Sequence, residues 1–309
     1  MADDDYVWTD EDWSDLVLSI ALQQCTPFIG SGACYGVLPT GKKLSAEWAK
    51  DAEYPFPDKE NLVKVAQYVA VDVGGFNTKN RLVARFKNAG PPDFTNPNEP
   101  HITLARLHLP FYITTNYDNF MFKALQAAAP TGPEAKEYKP QRDHCRWYER
   151  SKTKAKLPRT PSVLSPVIYH LHGILEIPKS IVLTEDDYLD FLVATSELEN
   201  LIPSEVRTAL TNTSLLFIGY SLEDLDFKVI LRRLSTWMQR AEGANHVAVQ
   251  IKPKAEGEPP SDEEIARADR QRKYLAKHYG LQSVKVFWGT AEDFCRELSE
   301  AMEKAKVTA

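Results

Sequence analysis

The sequence has little that would crosslink it, hold a metal through cysteine pairs, or carry it across a membrane. Its 309 residues include four cysteines, Cys25, Cys34, Cys145 and Cys295, and no two form a C-x-x-C pair. That spacing argues against a zinc ribbon, and four scattered thiols in a chain of this size do not make a disulfide framework. No apolar run approaches the ~18 residues of a membrane span. The amino end, Met1-Ala2-Asp3-Asp4-Asp5, is acidic where a secretory leader would be basic. The expectation is a reduced, cytoplasmic protein with no membrane partner. An excess of positive charge is also lacking. Against 43 Asp and Glu stand 37 Lys and Arg, a formal net charge of -6, so direct nucleic-acid binding by the whole chain is not expected. What is present, 43% hydrophobic and 26% charged residues, suits one large globular domain, residues 1–309, carrying an insertion.

Short apolar runs alternate with helical patterns. Strands are expected at Thr26–Ile29, Phe111–Thr115, Val167–Leu171, Leu215–Ile218, His246–Ile251 and Val284–Phe287. Helices are expected after most of them, including Tyr117–Ala128, Glu185–Val193, Glu197–Leu210, Glu223–Met238, Asp262–His278 and Ala291–Lys304. A first helix starts near Thr9 or Asp10. Strands apolar throughout and joined by helices predict an α/β fold: a Rossmann-like parallel sheet with helices on both faces. Residues 45–107 show short helical patterns broken at Gly74-Gly75 and Gly90-Pro91-Pro92 and no convincing strand, hence a helical insertion. Residues 130–165, with a basic run at 152–159, are expected as a peripheral arm, a solvated loop or hairpin, the alternative being a contact with a partner or nucleic acid.

Four expected strand ends carry polar signatures, and ligands of such folds bind outside the carboxyl ends of strands. The first is Phe28-Ile29-Gly30-Ser31-Gly32, where glycines let backbone N–H groups approach a phosphate. The second is Thr114-Thr115-Asn116-Tyr117-Asp118. Asn116 could cap the next helix or orient ribose hydroxyls and water, and Asp118 could serve the helix dipole or accept from a carboxamide. The third is His170-Leu171-His172-Gly173. His170 reads as structural; His172 is the better candidate base, since imidazole titrates near neutrality and Gly173 leaves room for a ligand. The fourth is Gly219-Tyr220-Ser221, a plain turn or a phosphate or ribose contact. Gly36 to Lys43 imitates a P-loop but has Lys43 where a magnesium ligand would stand. Ligand spacing around His170 and His172 is unconvincing, so no metal is expected.

In order and together, Gly30-Ser31-Gly32, Thr115-Asn116-Tyr117-Asp118, His172-Gly173 and Gly219-Tyr220-Ser221 resemble the sirtuin superfamily. Val182-Leu183-Thr184-Glu185-Asp186-Asp187-Tyr188 is further similar to the sirtuin-like domains of bacterial defence proteins. The zinc ribbon of protein-deacylating sirtuins is missing, and Thr115 replaces their glutamine. The resemblance therefore implies the divergent branch that cleaves NAD during phage infection. It implies Asn116 and His172 as the catalytic pair, NAD as substrate, and Gly30, Ser31, Gly32, Thr115, Asp118, Gly219 and Ser221 around it. An NAD-dependent deacylase and a non-catalytic NAD- or ADP-ribose-binding subunit are the alternatives. No fused sensor domain is evident, so control is expected from a homo-oligomer, a second protein subunit, or both.

Overall fold

A computed structural model of the chain describes residues 8–149, 154–196, 201–222, 228, 246–253, 261–281 and 283–308. Seven strands form one sheet: β1 (Cys25–Ile29), β2 (Phe111–Thr114), β3 (Gln141–His144), β4 (Val167–His170), β5 (Ser214–Ile218), β6 (His246–Gln250) and β7 (Val284–Trp288). The order is β3-β4-β2-β1-β5-β6-β7, and every pairing is parallel. From β1 the chain builds outward to β2, β4 and β3, then returns to pair β5 with the other side of β1. The strand order thus reverses between β1 and β5, the place where open α/β sheets form their crevice.

Both faces are covered, and alternation along the strands divides them. Phe28, Ile113, Tyr169, Phe217 and Ala248 belong to one buried cluster, which helix α8 (Ser204–Asn212) joins through Val206 and Leu210 and α9 (Asp262–Gly280) through Tyr279. Ile29, Tyr112, Ile168, Leu216 and Val247 belong to the other. There they meet α1 (Asp10–Ala21), α5 (Pro100–Ala105), α6 (Phe120–Ala127) and α10 (Ala291–Thr308) through Leu16, Leu104, Met121 and Phe294. Thr9 opens α1 with a reciprocal bond to Asp12, which satisfies two otherwise orphaned helix donors.

Between β1 and β2 run α2 (Gly41–Asp51), α3 (Leu62–Val73), α4 (Gly75–Phe86) and α5. Leu44, Ala66 and Leu82 of the first three gather around Ile181 and Leu183 of the segment after β4. The buried Lys79 ammonium holds the Asp187 carboxylate at 2.6 Å, and that carboxylate also accepts from the Leu183 and Thr184 N–H groups at the start of α7 (Glu185–Ser196). Part of the sirtuin-like segment 182–188 is therefore a structural clamp joining α4 to α7.

Residues 130–165 differ from the expected loop or hairpin. They supply β3, a parallel edge strand paired with β4 from Gln141↔Val167 to His144↔His170. Its sequence Gln-Arg-Asp-His has no apolar alternation to betray it, although three of the four residues are buried and Gln141 Oε1 and Asp143 Oδ2 have no hydrogen-bond partner among the described residues. Residues 152 and 153 of the basic run, residues 197–200, nearly all of the helix expected over 223–238, and most of the loop expected at 253–263 lie outside the described residues.

Candidate active site

Register brings the four signatures to one level. Ile29 pairs with Thr114 and Ile218, and Thr114 with His170. The next residues, Gly30, Thr115, Leu171 and Gly219, therefore leave the sheet side by side.

The glycines at β1 and β5 are required by each other. The Gly32 N–H donates to the Gly219 carbonyl at 2.8 Å and the Gly30 N–H to the Ile218 carbonyl at 2.9 Å. A Cβ on Gly30 would stand 2.7 Å from the Gly219 oxygen, and one on Gly32 2.9 Å from the Gly219 Cα. Gly219 has φ +80°. Two backbones pack where side chains would keep them apart. Thr115 closes the same corner: its hydroxyl lies 2.7 Å from that of Tyr220, which donates to the Ile29 carbonyl. Ser31 and Ser221 are exposed on the outer side of these loops.

Asn116 is buried. Its peptide N–H donates to the Thr114 hydroxyl, and its side-chain amide donates to the Gly30 carbonyl at 3.1 Å and toward Cys34 Sγ at 3.4 Å. It does not cap α6; Asp118 accepts from the Phe120 N–H there at 2.9 Å. The Asp118 Oδ2 meanwhile accepts from the Cys34 thiol at 3.4 Å. Burial, with Asp118 beside it, pushes the Cys34 thiol well above its ordinary pKa.

The two histidines of β4 do different things. His170 Nδ1 lies 2.7 Å from the Asn116 carbonyl and Nε2 3.4 Å from Arg142 Nε on β3. Since both partners dictate the tautomer, Nδ1 carries the proton and Nε2 accepts. Arg142 in turn pairs with Glu176 at 2.9 Å. Burial, and then Arg142, lower the His170 pKa to about 3. His172 lies beyond the strand end, 3% exposed, with Tyr188 and Phe191 of α7 edge-on to its ring. Its Nε2 is buried and has no hydrogen-bond partner among the described residues. Burial alone lowers its pKa to about 4, so it is neutral at pH 7 rather than titrating there as the sequence reading expected.

Gly173 does not leave space for a ligand. It has φ +90°, and a Cβ there would run into the backbone of Ser180. The Val182 N–H donates to the His172 carbonyl at 3.0 Å, so this glycine lets the 174–183 segment close over the histidine. The P-loop imitation is a turn in which the Thr40 side chain accepts from the Lys43 N–H and opens α2.

Thus Asn116, Thr115, Asp118, Gly30, Gly32 and Gly219 form one interlocked corner. His172 stands beside it on the next strand, and Ser31 and Ser221 flank it. Sequence reasoning missed Cys34, His101, Tyr220 and Arg142. Cys34 sits two residues past the first signature and Tyr220 lies within the fourth; His101 and Arg142 had no local signal.

A family model described as the SIR2-like domain matches residues 110–283, more than half of the chain. The chain belongs to the SIR2-like family. Three relatives, each named NAD(+) hydrolase ThsA, match well beyond that segment. The protein of Acinetobacter baumannii (strain 532279) is 25% identical over 250 residues, 80% of this chain and 46% of its own. That of Cytobacillus dafuensis is 28% identical over 66% of this chain and 36% of its own, and that of Bacillus cereus (strain MSX-D12) 23% identical over 85% and 50%. The chain spans about half the length, or less, of the curated relatives it matches. A solved Sir2 enzyme chain aligns with 96% of this SIR2-like chain at 13% identity and a TM-score of 0.40, covering 99% of its own length. The strand order itself, rather than that distant likeness, defines the fold. Among the described residues no helix is long and apolar enough to cross a membrane.

Proposed function

We propose that this SIR2-like chain cleaves NAD at the bond between nicotinamide and ribose, releasing nicotinamide and either linear ADP-ribose, with water as the acceptor, or cyclic ADP-ribose. The observation that carries the reading is the neutral His172 with its unpartnered, buried Nε2, which follows the strand paired with the one leading to Asn116, whose amide is fixed by the Gly30 carbonyl. The relatives named as NAD(+) hydrolases support it.

Breaking the glycosidic bond builds oxocarbenium character on the ribose, so the protein must hold the sugar, exclude bulk water and provide a base. In this reading His172 takes a proton from water or a ribose hydroxyl, a role its free lone pair suits. Asn116 positions that oxygen, and Asp118 accepts from the nicotinamide carboxamide. Gly30, Ser31, Gly32, Thr115, Gly219 and Ser221 border the remainder of the dinucleotide. We further propose that the chain acts as the NAD-depleting effector of a bacterial antiphage system, restrained by homo-oligomerisation and a second protein subunit.

Chromatography of NAD incubated with the purified protein tests the core reading. Free nicotinamide released without any peptide is the expected result. Release that needs an acylated peptide would make the protein a deacylase; binding without release, by the protein alone and with its partner, would make it a sensor. Light scattering, alone and with the protein encoded by a neighbouring gene, tests the assembly, and a monomer active without restraint would overturn it.

A further inference from the structure

Behind Asn116 lies a cluster of which the proposed NAD chemistry uses only Asp118. Cys34, His101 and Asp118 come from the first glycine loop, from α5 and from the β2 end, and all three are buried. Cys34 Sγ is 3.8 Å from His101 Nε2 and 3.4 Å from Asp118 Oδ2, and the three donor atoms all lie within 4.8 Å of one another. Ligands at zinc's usual bond lengths around a tetrahedral ion are separated by about 3.5 Å. The far side of the imidazole is also committed. Glu99 Oε1 is 2.6 Å from His101 Nδ1, while Glu99 Oε2 accepts from the Ile102 N–H and caps α5. A carboxylate on Nδ1 places the proton there and turns the Nε2 lone pair toward Cys34 and Asp118, the arrangement that orients metal-bound histidines.

We propose that Cys34, His101 and Asp118 form a binding site for a divalent transition metal of the zinc class, with Glu99 orienting His101. The donor set of one sulfur, one nitrogen and one oxygen suits zinc or cobalt over calcium or magnesium. On binding, the Cys34 S–H bond breaks, its proton passes to solvent, and the sulfur's electron pair forms the metal bond. Thiolate and carboxylate then neutralise the dication inside a buried site, the fourth position falls to water, and the Asn116 amide N–H, 3.4 Å from Sγ, donates to the thiolate. Short-range spacing gave no hint of such a site, because only the fold brings its three ligands together. A bound metal engages Asp118, so loading is expected to lower NAD turnover.

The test uses the full chain, stripped with a chelator and titrated with cobalt(II) alone. One equivalent should bind, with tetrahedral ligand-field bands and a thiolate-to-cobalt charge-transfer band, and zinc should displace it. Cys34→Ser should lose the charge-transfer band. Glu99→Gln keeps an oxygen to cap α5 and should weaken binding by about 10- to 100-fold. Circular dichroism checks that each variant is folded. Should Cys34→Ser not fold, the wild-type band and the Glu99→Gln affinity decide. No cobalt bound by folded wild type, a charge-transfer band that survives in folded Cys34→Ser, or unchanged affinity in Glu99→Gln would overturn the site. None of these readouts involves NAD, so failure of the metal site and failure of the hydrolase reading are told apart.

Discussion

The two ends of the strand-edge crevice are built on opposite plans. At the carboxyl ends of β2 and β4, buried polar side chains are packed with almost every donor and acceptor assigned, and α7 and the 174–183 segment close over them. The exception there among the described residues is His172 Nε2. At the carboxyl ends of β5, β6 and β7 there is instead a cavity of about 220 Å3, lined among the described residues by Ser221, Leu222, Gln250, Ile251, Pro253, Gln271, Leu275 and Trp288. Its polar anchor is committed to structure: the Gln250 side chain accepts from the Leu222 N–H and donates to the Tyr220 carbonyl. Trp288 Nε1 in the cavity wall is also buried without a partner among the described residues, but an indole N–H can only donate, whereas an imidazole can take up a proton, so the proposed acid–base chemistry is assigned to the closed end. The open end offers shape for binding.

The strongest test of that contrast removes the unpartnered group. His172→Ala should reduce NAD cleavage to background with the fold retained, because the ring packs on Tyr188 and Phe191 but no hydrogen bond is lost with it. Turnover measured beside a circular dichroism spectrum decides the matter; near-normal rates in a folded variant would take His172 out of the mechanism. Asn116→Ala should lower turnover by at least about 100-fold, the scale for losing a positioning group. Some NAD binding, measured by calorimetry, should survive.

A smaller but still large effect is expected at Gly173, where the 174–183 segment packs over the histidine. Gly173→Ala introduces a Cβ at φ +90° against the Ser180 backbone. Strain of this kind costs on the order of 1–3 kcal/mol before any clash is counted. Its melting temperature should fall clearly below that of Gly36→Ala, which also sits at positive φ but has nothing within 4 Å of its added Cβ. Equal losses in the two would show that the 174–183 segment is not held against this glycine.

These contrasts also mark what could be read from the chain. The six apolar strands were legible because a parallel sheet buries both faces and writes continuous hydrophobic runs. The strand ends were legible because glycine, asparagine and histidine interrupt those runs. That Gly30, Gly32 and Gly219 pack against one another was not legible, because the sequence carries no sign of the cross-loop approach that only the fold creates. Strand β3 was hidden by its polar edge sequence. The proton state of His172 was hidden too, since its shift comes from desolvation by residues of α7 that are distant from the β4 end in pattern and register.

Lowering the pH should expose the same asymmetry in stability. His170, His172 and His246 have pKa values of about 3, 4 and 4 in the folded protein, with burial the leading cause in each, against about 6.5 when unfolded. Between those values the unfolded chain binds more protons than the folded one, so stability is full above pH ~6.5 and declines as the pH falls toward 4. Melting temperatures across pH 4–8 should show that slope. His172→Ala should flatten part of it. For catalysis, the acid limb of kcat/KM should lie well below pH 6.5; a limb at 6.5 would mean that the base is solvated in the working enzyme.

The smallest effect is expected at the open end. Ser221 is exposed and borders the cavity, and the proposed role of its hydroxyl is contact with a phosphate or ribose oxygen well away from the reacting carbon. A neutral hydrogen bond of this kind is worth about 0.5–1.5 kcal/mol. An interaction made equally in ground and transition states changes binding without changing the chemical step. Ser221→Ala should therefore raise KM for NAD by about 2- to 12-fold and leave kcat near wild type. Steady-state kinetics beside Asn116→Ala separate the two ends, because the asparagine variant should lose kcat. A fall in kcat for Ser221→Ala comparable to that of Asn116→Ala would place reaction chemistry at both ends of the crevice and dissolve the distinction between a closed reacting corner and an open binding one.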